Sequence, residues 1–242
     1  MSEPTLAIVI PTKNEEKFIG NLLQSIVEQK EVVISQIPIF IADADSTDRT
    51  KEVIKTFSDK LNIKIIPGGK VAHARNNGLK EAKTEYVLFS DADNVFDPFL
   101  ISKLKDRIAS GKLAYTPLFK PQTANFNTEI LWKFTNFLLK RKLVGGFLCG
   151  MAHCLNREQI IKLGGYNEEV TFGEDFELGR RVGARNIEVV DSYAYISNRR
   201  FDRDGFWNVF LPWAKAFISS LFNKKTLITS NKDYFKDDFS AE

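Results

Sequence analysis

The chain has 242 residues, of which 43% are hydrophobic and 12% aromatic, and this length suits one well-buried domain. Its 34 basic and 31 acidic residues leave a formal net charge of only +3. Such a balance excludes the global positive bias that drives nonspecific binding to nucleic acid, so we expect no nucleic-acid partner. The two cysteines, Cys149 and Cys154, are too few for a disulfide framework or a zinc site and predict reduced thiols in a cytoplasmic protein.

The sequence predicts neither a signal peptide nor a membrane-spanning helix. The N-terminal residues lack the basic region of a signal peptide, and the longest uncharged apolar stretch, residues 143–155, is shorter than the ~20 residues that span a membrane. We therefore expect a cytoplasmic protein, either free or peripheral on the inner face of the membrane.

The first third of the chain alternates apolar strands with amphipathic helices. The strands are predicted at residues 6–10, where Pro11 ends the run, and at 37–41, 63–66 and 86–90. The intervening helices are predicted from Glu15 to Val27, over 53–61 and over 74–82, because apolar residues recur there at helical spacing. This alternation predicts an α/β fold with a doubly wound, mostly parallel sheet.

The second half of the chain departs from this strict alternation. Helices are predicted near 99–108, 128–141, 157–162 and 176–182, strands near 112–117 and 187–190, and a glycine-rich stretch at 144–150. No repeat or linker interrupts the sequence, so we expect this half to extend the same domain.

Two acidic pairs directly follow predicted strands. Asp91 and Asp93 present hard oxygen donors where open α/β sheets bind ligands, and such donors suit Mn²⁺ or Mg²⁺ carrying phosphates. A solvated turn is the alternative for this pair. The other pair is Asp43 and Asp45, and Asp43 could accept a hydrogen bond from a base or a ribose. The alternative is a structural turn in which one of residues 46–48 caps the helix that follows.

Several other polar residues allow both a functional and a structural interpretation. Arg75 could grip a phosphate or pair with a carboxylate. Glu174 and Asp175 precede a helix, so Asp175 could act as a general base or the pair could complement the helix dipole. The cluster at Arg199 and Arg200 could neutralise a diphosphate or form salt bridges in a surface loop. His153 is interpreted as a buried, hydrogen-bonded histidine rather than a ligand.

Aromatic and aliphatic residues form one helical stripe over residues 206–222, with Lys215, Lys224 and Lys225 beside it or just beyond. The stripe suits a helix in a membrane interface, a helix packed on the protein's own core, or a homodimer contact. Pro212 marks either a kink or a helix start. The tail, residues 232–242, is polar.

Five motifs in this order resemble glycosyltransferase family 2, a group of inverting enzymes with the Rossmann-like GT-A fold. The similarity extends over about residues 6–181. The matching segments are Val9-Ile10-Pro11-Thr12-Lys13-Asn14-Glu15-Glu16, Asp43-Ala44-Asp45-Ser46-Thr47-Asp48, Ala74-Arg75-Asn76-Asn77-Gly78, Asp91-Ala92-Asp93, and Gly164-Gly165-Tyr166 continuing to Gly173-Glu174-Asp175.

The resemblance implies a donor site for a nucleotide sugar, with UDP favoured, and a hydroxyl acceptor that is a glycan or lipid-linked. It implies Asp175 as the catalytic base beside Glu174, and Asp91 and Asp93 as ligands of Mn²⁺ or Mg²⁺. The residues expected to bind the donor are Pro11, Thr12, Asn14, Glu15, Asp43, Arg75, Asp91, Ala92, Asp93, Arg199 and Arg200. We expect a nucleotide-binding half at 1–95, an acceptor-side half at 96–198 and a C-terminal helical extension and tail at 199–242.

The chain departs from the family pattern in two places. Asp43-Ala44-Asp45 stands where the family usually has Asp-Asp-Gly, which leaves the geometry of that turn open. The Gln-x-x-Arg-Trp signature of processive synthases is absent, with Arg199-Arg200-Phe201 nearest its position, so a single-transfer enzyme is favoured. The competing hypotheses are a sugar-phosphate nucleotidyltransferase and a catalytically silent nucleotide-sugar or protein-binding module.

Overall fold

The computed structural model describes residues 5–142, 148–170 and 172–221 of the protein. Its strands are β1 Leu6–Thr12, β2 Ile39–Asp43, β3 Ile63–Pro67, β4 Tyr86–Ser90, β5 Val95–Phe96, β6 Ala114–Pro121, β7 Ala152–Asn156 and β8 Ile187–Ile196. Its helices are α1 Ile19–Val27, α2 Thr50–Lys55, α3 Val71–Glu81, α4 Leu100–Ile108, α5 Phe126–Arg141, α6 Arg157–Lys162, α7 Glu174–Val182, α8 Arg199–Asp204 and α9 Phe206–Leu221.

The strands described form one mixed sheet in the order β3-β2-β1-β4-β7-β6-β8-β5. The first four strands are parallel, and β7 then pairs antiparallel with both β4 and β6. This confirms the predicted α/β, doubly wound and mostly parallel sheet. Because β1, β2 and β4 run in one direction, their carboxyl ends meet at one edge of the sheet, where α/β proteins bind ligands.

Two hydrophobic layers cover the sheet, and alternate residues of β1 divide between them. Ile8 and Ile10 join the core cluster beneath α1 and α4, whereas Val9 joins the cluster beneath α3. A Cβ at Gly78 of α3 would lie 2.3 Å from the side chain of Val9, so only glycine allows α3 to approach the strand this closely.

Several element boundaries differ from the sequence prediction. Pro11 does not end β1, which continues to Thr12 because a proline near a strand end sacrifices little hydrogen bonding. α1 begins at Ile19 rather than Glu15, since the amides of Phe18 and Ile19 both donate to the carbonyl of Glu15 and close a turn first. The strands β5 and β7 were not predicted.

The C-terminal part contains two successive helices. Residues 199–204 form the short helix α8 rather than a loop, and Pro212 lies inside α9 rather than at its start. Phe222, Lys224, Lys225, the tail at 232–242 and residues 144–147 of the glycine-rich stretch lie outside the described residues. Of the helices described, none has both the length and the apolar character needed to cross a bilayer.

Candidate active site

The loops after β1 and β2 are tied together at the carboxyl edge of the sheet. The amide of Asn14 donates to Ser46 Oγ at 2.9 Å, and the amide of Glu15 donates to Thr50 Oγ1 at 2.7 Å. Asn14 Oδ1 in turn accepts from the amide of Thr47 at 2.9 Å. These hydrogen bonds fix the direction in which Glu15 leaves the sheet.

Asp43 ends β2 beside Thr12, and both residues are buried. Asp43 Oδ1 accepts from the amide of Ser46 at 3.1 Å and pairs with Lys51 Nζ at 3.0 Å. Its Oδ2 is buried and makes no hydrogen bond to any residue that the structure describes. Because an unpaired buried acceptor is costly, this oxygen is suited to receive an N–H or O–H from a ligand.

Asp45 occupies the position where the family usually has glycine, and its φ of 54° lies in the left-handed region. Aspartate tolerates this region better than most residues with a side chain. Asp45 therefore adopts a backbone conformation that glycine would also adopt, although the sequence here is Asp43-Ala44-Asp45 and not Asp-Asp-Gly.

Arg75, on α3, is the central cation of the site and is only 2% exposed. One guanidinium nitrogen donates to Glu174, and the other donates to Asp91 Oδ1 at 3.1 Å and to the carbonyl of Gly150 at 2.8 Å. The guanidinium also lies 5.5 Å from the ring centre of Tyr166. Burial by itself would lower the pKa of Arg75, but the carboxylates around it raise that pKa further above its ordinary value. Arg75 thus pairs with carboxylates, and its contact with a base or phosphate stays a prediction.

Asp175, the candidate catalytic base, is the second residue of α7 and is buried. Its two oxygens accept from the amides of Gly150 and Phe176, which fixes the plane of the carboxylate. Burial and the adjacent charge of Glu174 raise the pKa of Asp175 to about 7, despite the opposing effect of Arg75. A carboxylate with a pKa near neutral is matched to the removal of a proton from a hydroxyl group.

Asp91 and Asp93 follow β4, with side chains 38% and 17% exposed. Burial in the floor of the cleft raises the pKa of Asp91 to about 6, with Arg75 opposing and Asp93 adding to the shift. Asp93 Oδ2 lies 3.0 Å from Arg199 Nε. Within residues 5–142, 148–170 and 172–221, no group of three or more His, Cys, Asp or Glu side chains is arranged as a metal centre. Two neighbouring carboxylates with hard oxygens nevertheless fit a cation that keeps positions for phosphate and water.

These side chains share one cleft of about 500 Å³. Of the sequence-predicted site residues, those lining it are Pro11, Glu15, Arg75, Asp91, Ala92, Asp93, Glu174, Asp175, Arg199 and Arg200. Thr12, Asn14 and Asp43 flank the cleft from the ends of β1 and β2 without lining it. The structure thus brings the predicted base, the acidic pair Asp91 and Asp93, and the basic cluster together from three separate parts of the chain.

Sequence reasoning missed the positioning roles of Gly150 and Tyr166. Gly150 donates its amide to Asp175 and offers its carbonyl to Arg75. The Tyr166 hydroxyl bonds Nε2 of His153, whose Nδ1 faces the carbonyl of Cys149 at 2.9 Å. Burial, helped by the nearby positive charge of Arg75, lowers the pKa of His153 to about 3, which confirms a neutral, hydrogen-bonded histidine. The Gly-Gly-Tyr match and the glycine-rich stretch were the signals for these two residues.

The chain is similar in sequence to known glycosyltransferases. The chain is 33% identical over 107 residues to poly(ribitol-phosphate) beta-N-acetylglucosaminyltransferase TarS of Staphylococcus aureus, covering 43% of this chain and 18% of TarS. It is 23% identical over 226 residues to the uncharacterized glycosyltransferase EpsJ of Bacillus subtilis, covering 80% of this chain and 60% of EpsJ. The chain therefore spans about a fifth of TarS and three fifths of EpsJ.

Solved structures share the fold. The crystal structure of S. aureus TarS with UDP-GlcNAc superposes with a TM-score of 0.65 at 19% identity, over 80% of this chain and 58% of that one. The mannosyltransferase PcManGT of Pyrobaculum calidifontis, in complex with GDP-Man and Mn²⁺, superposes with a TM-score of 0.64 at 18% identity, over 92% and 75%. The sheet and its helices are thus those of the GT-A fold, as expected. The model of glycosyl transferase family 2 matches residues 7–160, and the chain belongs to this family.

Proposed function

We propose that the protein is a glycosyltransferase that moves a sugar from a nucleoside diphosphate to an acceptor hydroxyl with inversion at the anomeric carbon. The observation that carries this proposal is the buried Asp175, which lines the same cleft as the acidic pair Asp91 and Asp93, with Arg75 bonded to Asp91 and acting on Asp175 through its charge. A proton acceptor and a site for a charged leaving group therefore face one cavity.

Asp175 would accept the proton of the acceptor hydroxyl as that oxygen attacks the sugar. Its pKa of about 7 allows it to be deprotonated at neutral pH and still basic enough to take the proton. The amides of Gly150 and Phe176 keep its position, since each donates a hydrogen bond to one of its two carboxylate oxygens.

Asp91 and Asp93 would hold Mn²⁺ or Mg²⁺, which when bound would offset charge on the departing diphosphate. Arg200 lines the same end of the cleft and lowers the pKa of Asp91 through its charge, so it can also face an anion. Arg199 pairs with Asp93 and Glu15 in this structure, and its contact with a diphosphate requires a rearrangement of these pairs.

UDP is the favoured nucleotide of the donor. The buried Oδ2 of Asp43 can accept the imide N–H of a pyrimidine such as uracil. The structures of TarS with UDP-GlcNAc and of PcManGT with GDP-Man and Mn²⁺ support a nucleotide sugar as the ligand class for this fold. Membership of family 2 favours this function over a nucleotidyltransferase.

A thermal-shift panel tests the proposal directly, because a ligand that binds only the native state raises its melting temperature. UDP, GDP, CMP and dTDP sugars are compared with and without Mn²⁺, and we expect the largest shift with a UDP sugar and Mn²⁺. For that donor, NMR of the transfer product reports the anomeric configuration. A shift without turnover over an acceptor panel would favour a silent binding module, and no shift with any nucleotide sugar would contradict the proposal.

A further inference from the structure

The cleft has two ends of different chemistry. The end described above is charged, whereas the other end is lined by aromatic and aliphatic side chains of α5 and α9. These side chains are Leu131, Trp132, Phe134, Leu138, Phe210, Trp213, Ala214, Phe217 and Ile218. The sugar, the diphosphate and a cation need polar partners, so none of them accounts for this apolar half of the cleft.

The apolar half begins at the catalytic element. The ring of Phe176, next to Asp175, meets the ring of Phe217 edge to face at a centroid distance of 5.6 Å. A Cβ at Gly173 would lie 3.5 Å from that of Ala216, so α9 packs against the start of α7. A group that enters along α9 therefore arrives directly at the candidate base.

The outer surface of α5 is apolar beside this groove. Phe126, Ile130, Phe134 and Phe137 are 79%, 51%, 58% and 50% exposed. Their spacing of three and four residues places them on one face of the helix. Phe134 is both exposed and part of the cleft lining, so this face continues into the groove.

α9 presents a matching face on the other side of the groove. Trp207, Leu211 and Ile218 are 64%, 57% and 52% exposed at spacings of four and seven. Ile218 also lines the cleft. Two exposed apolar helix faces thus flank the entrance to an apolar groove that ends at Asp175, whereas other residues of α9, such as Val209, pack on the core.

The charged residues of α5 and α9 indicate which kind of partner could cover these apolar faces. α5 and α9 carry Lys133, Lys140, Arg141 and Lys215 against the single carboxylate of Glu129. Glu129 pairs with Lys133 at 3.3 Å, and Lys140 lies 3.9 Å from Asp191 of β8, so the two helices keep a net positive charge. Apolar side chains with cations around them suit an interface with anionic lipid.

We propose that α5 and α9 dock on a lipid bilayer and that the apolar half of the cleft binds the hydrocarbon chain of a lipid-linked acceptor, whose hydroxyl then reaches Asp175. This assignment rests on the proposed function and narrows its acceptor to one chemical class. Two other occupants are a second copy of the chain and its own residues 222–242, and the experiments below separate them.

Tryptophan fluorescence tests docking on the unmodified full chain. The three tryptophans are Trp132 on α5 and Trp207 and Trp213 on α9. Trp207 is 64% exposed and reports contact with lipid, whereas Trp132 is buried. Vesicles of phosphatidylglycerol and phosphatidylcholine with brominated acyl chains should quench this fluorescence, and unbrominated vesicles should not. Absence of quenching would overturn the proposal.

Variants then locate the contact. Phe134→Asp combined with Ile218→Asp should weaken partition onto anionic vesicles by at least about 10-fold, since a charge is placed at each edge of the groove. Val33→Asp combined with Ile161→Asp adds the same number of charges at residues that are 61% and 44% exposed and do not line the cleft, and this control should not alter partition. Equal partition of the groove variant and this control would overturn the proposal. Sedimentation equilibrium tests for a dimer. If the unmodified chain forms a dimer that the Phe134→Asp, Ile218→Asp variant does not form, and the unmodified chain does not bind vesicles, the proposal is also overturned.

A third measurement addresses the groove itself. Farnesyl phosphate should raise the melting temperature of the full chain, and inorganic phosphate at the same concentration should not. Equal shifts with the two compounds, or no shift with either, would overturn the assignment of the groove to a hydrocarbon chain. A shift with farnesyl phosphate that appears only after residues 222–242 are deleted would also overturn it, because the chain's own residues would then be the occupant. The thermal shift with nucleotide sugars is measured on the same samples, so that failure of this inference is distinguished from failure of the proposed function.

Discussion

The guanidinium of Arg199 bonds both carboxylate oxygens of Glu15, at 2.8 and 2.6 Å, across 184 residues of sequence. Its Nε lies 3.0 Å from Asp93, and the guanidinium also covers the ring of Phe18 at 4.7 Å. Arg199 therefore joins the C-terminal helices to the loop after β1 and places a positive charge where a metal ligand is proposed.

Arg199→Gln should strengthen the binding of Mn²⁺ in the absence of nucleotide, because the cation would no longer compete with a guanidinium for Asp93. We expect a several-fold lower dissociation constant, measured by thermal shift over an Mn²⁺ titration. Asp93→Asn should lose the response and serves as the opposite control. Weaker Mn²⁺ binding in Arg199→Gln would show that Arg199 does not compete at this site.

Asp175→Asn should remove transfer and spare donor binding, since an amide cannot accept the acceptor proton. Loss of a general base typically lowers the rate by about 100- to 10,000-fold. Single-turnover kinetics at saturating donor, together with the donor dissociation constant, measure the two effects separately. If donor affinity collapses while the saturated rate stays normal, Asp175 is a binding residue instead.

The pH dependence of stability should report the same carboxylate. The pKa of Asp175 rises from 3.8 to about 7 on folding, so between these values the folded state holds a proton that the unfolded chain releases. Stability should therefore fall as pH rises through this window, by at most about 1.4 kcal/mol per pH unit for one group. Urea unfolding at pH 5, 6, 7 and 8 should show a shallower fall in Asp175→Asn. Identical slopes in the two proteins would mean that Asp175 titrates normally.

Arg75→Met should lower the free energy of unfolding by about 3–5 kcal/mol, because it leaves the buried carboxylate of Glu174 and the partly exposed carboxylate of Asp91 without their cation. Arg49→Met is the matched control: Arg49 is 77% exposed and pairs with Glu16 at 3.5 Å, so its loss should cost less than about 1 kcal/mol. Urea unfolding at constant pH compares the two. Equal small losses would indicate that water solvates the carboxylates around Arg75.

Asp45→Val should lower the free energy of unfolding by about 1–2 kcal/mol, because a β-branched side chain fits the left-handed region poorly. Asp45→Gly should change it by less than about 1 kcal/mol, since relieved strain offsets the greater freedom of the unfolded chain. Asp59→Val, at another exposed aspartate, controls for the loss of charge. A turn that accepts valine without loss would show that φ at this position is not fixed.

The sequence was a good guide where local pattern decides structure. Apolar runs predicted β1, β2 and β4, and the run Ile-Lys-Ile-Ile predicted β3 despite its lysine. The carboxylates at the end of β2 and after β4 were placed correctly at the carboxyl edge of the sheet. β7 escaped prediction because its five residues include the polar His153 and Asn156, so they form neither a continuous apolar run nor a clear alternation or helical period.

Contacts between distant residues escaped prediction for a different reason. Arg75 and Glu174 are 99 residues apart, and no periodicity reports a partner at that distance. The apolar face of α9 was visible in the sequence, but its position across the groove from α5 depends on how both helices pack against the sheet.

Gly150 shows how much of this site is built from main chain. Its amide donates a hydrogen bond to Asp175, and its carbonyl accepts one from Arg75. A Cβ at this residue would lie 2.8 Å from Asp175 Oδ2 and 3.3 Å from Arg75 Nη2. Alanine scanning cannot delete these two hydrogen bonds, because every residue except proline carries the same amide and carbonyl. Substitution at this position adds bulk instead of subtracting a contact. An amide-to-ester exchange at residue 150, which replaces the N–H by an oxygen, would instead measure what the hydrogen bond to Asp175 contributes.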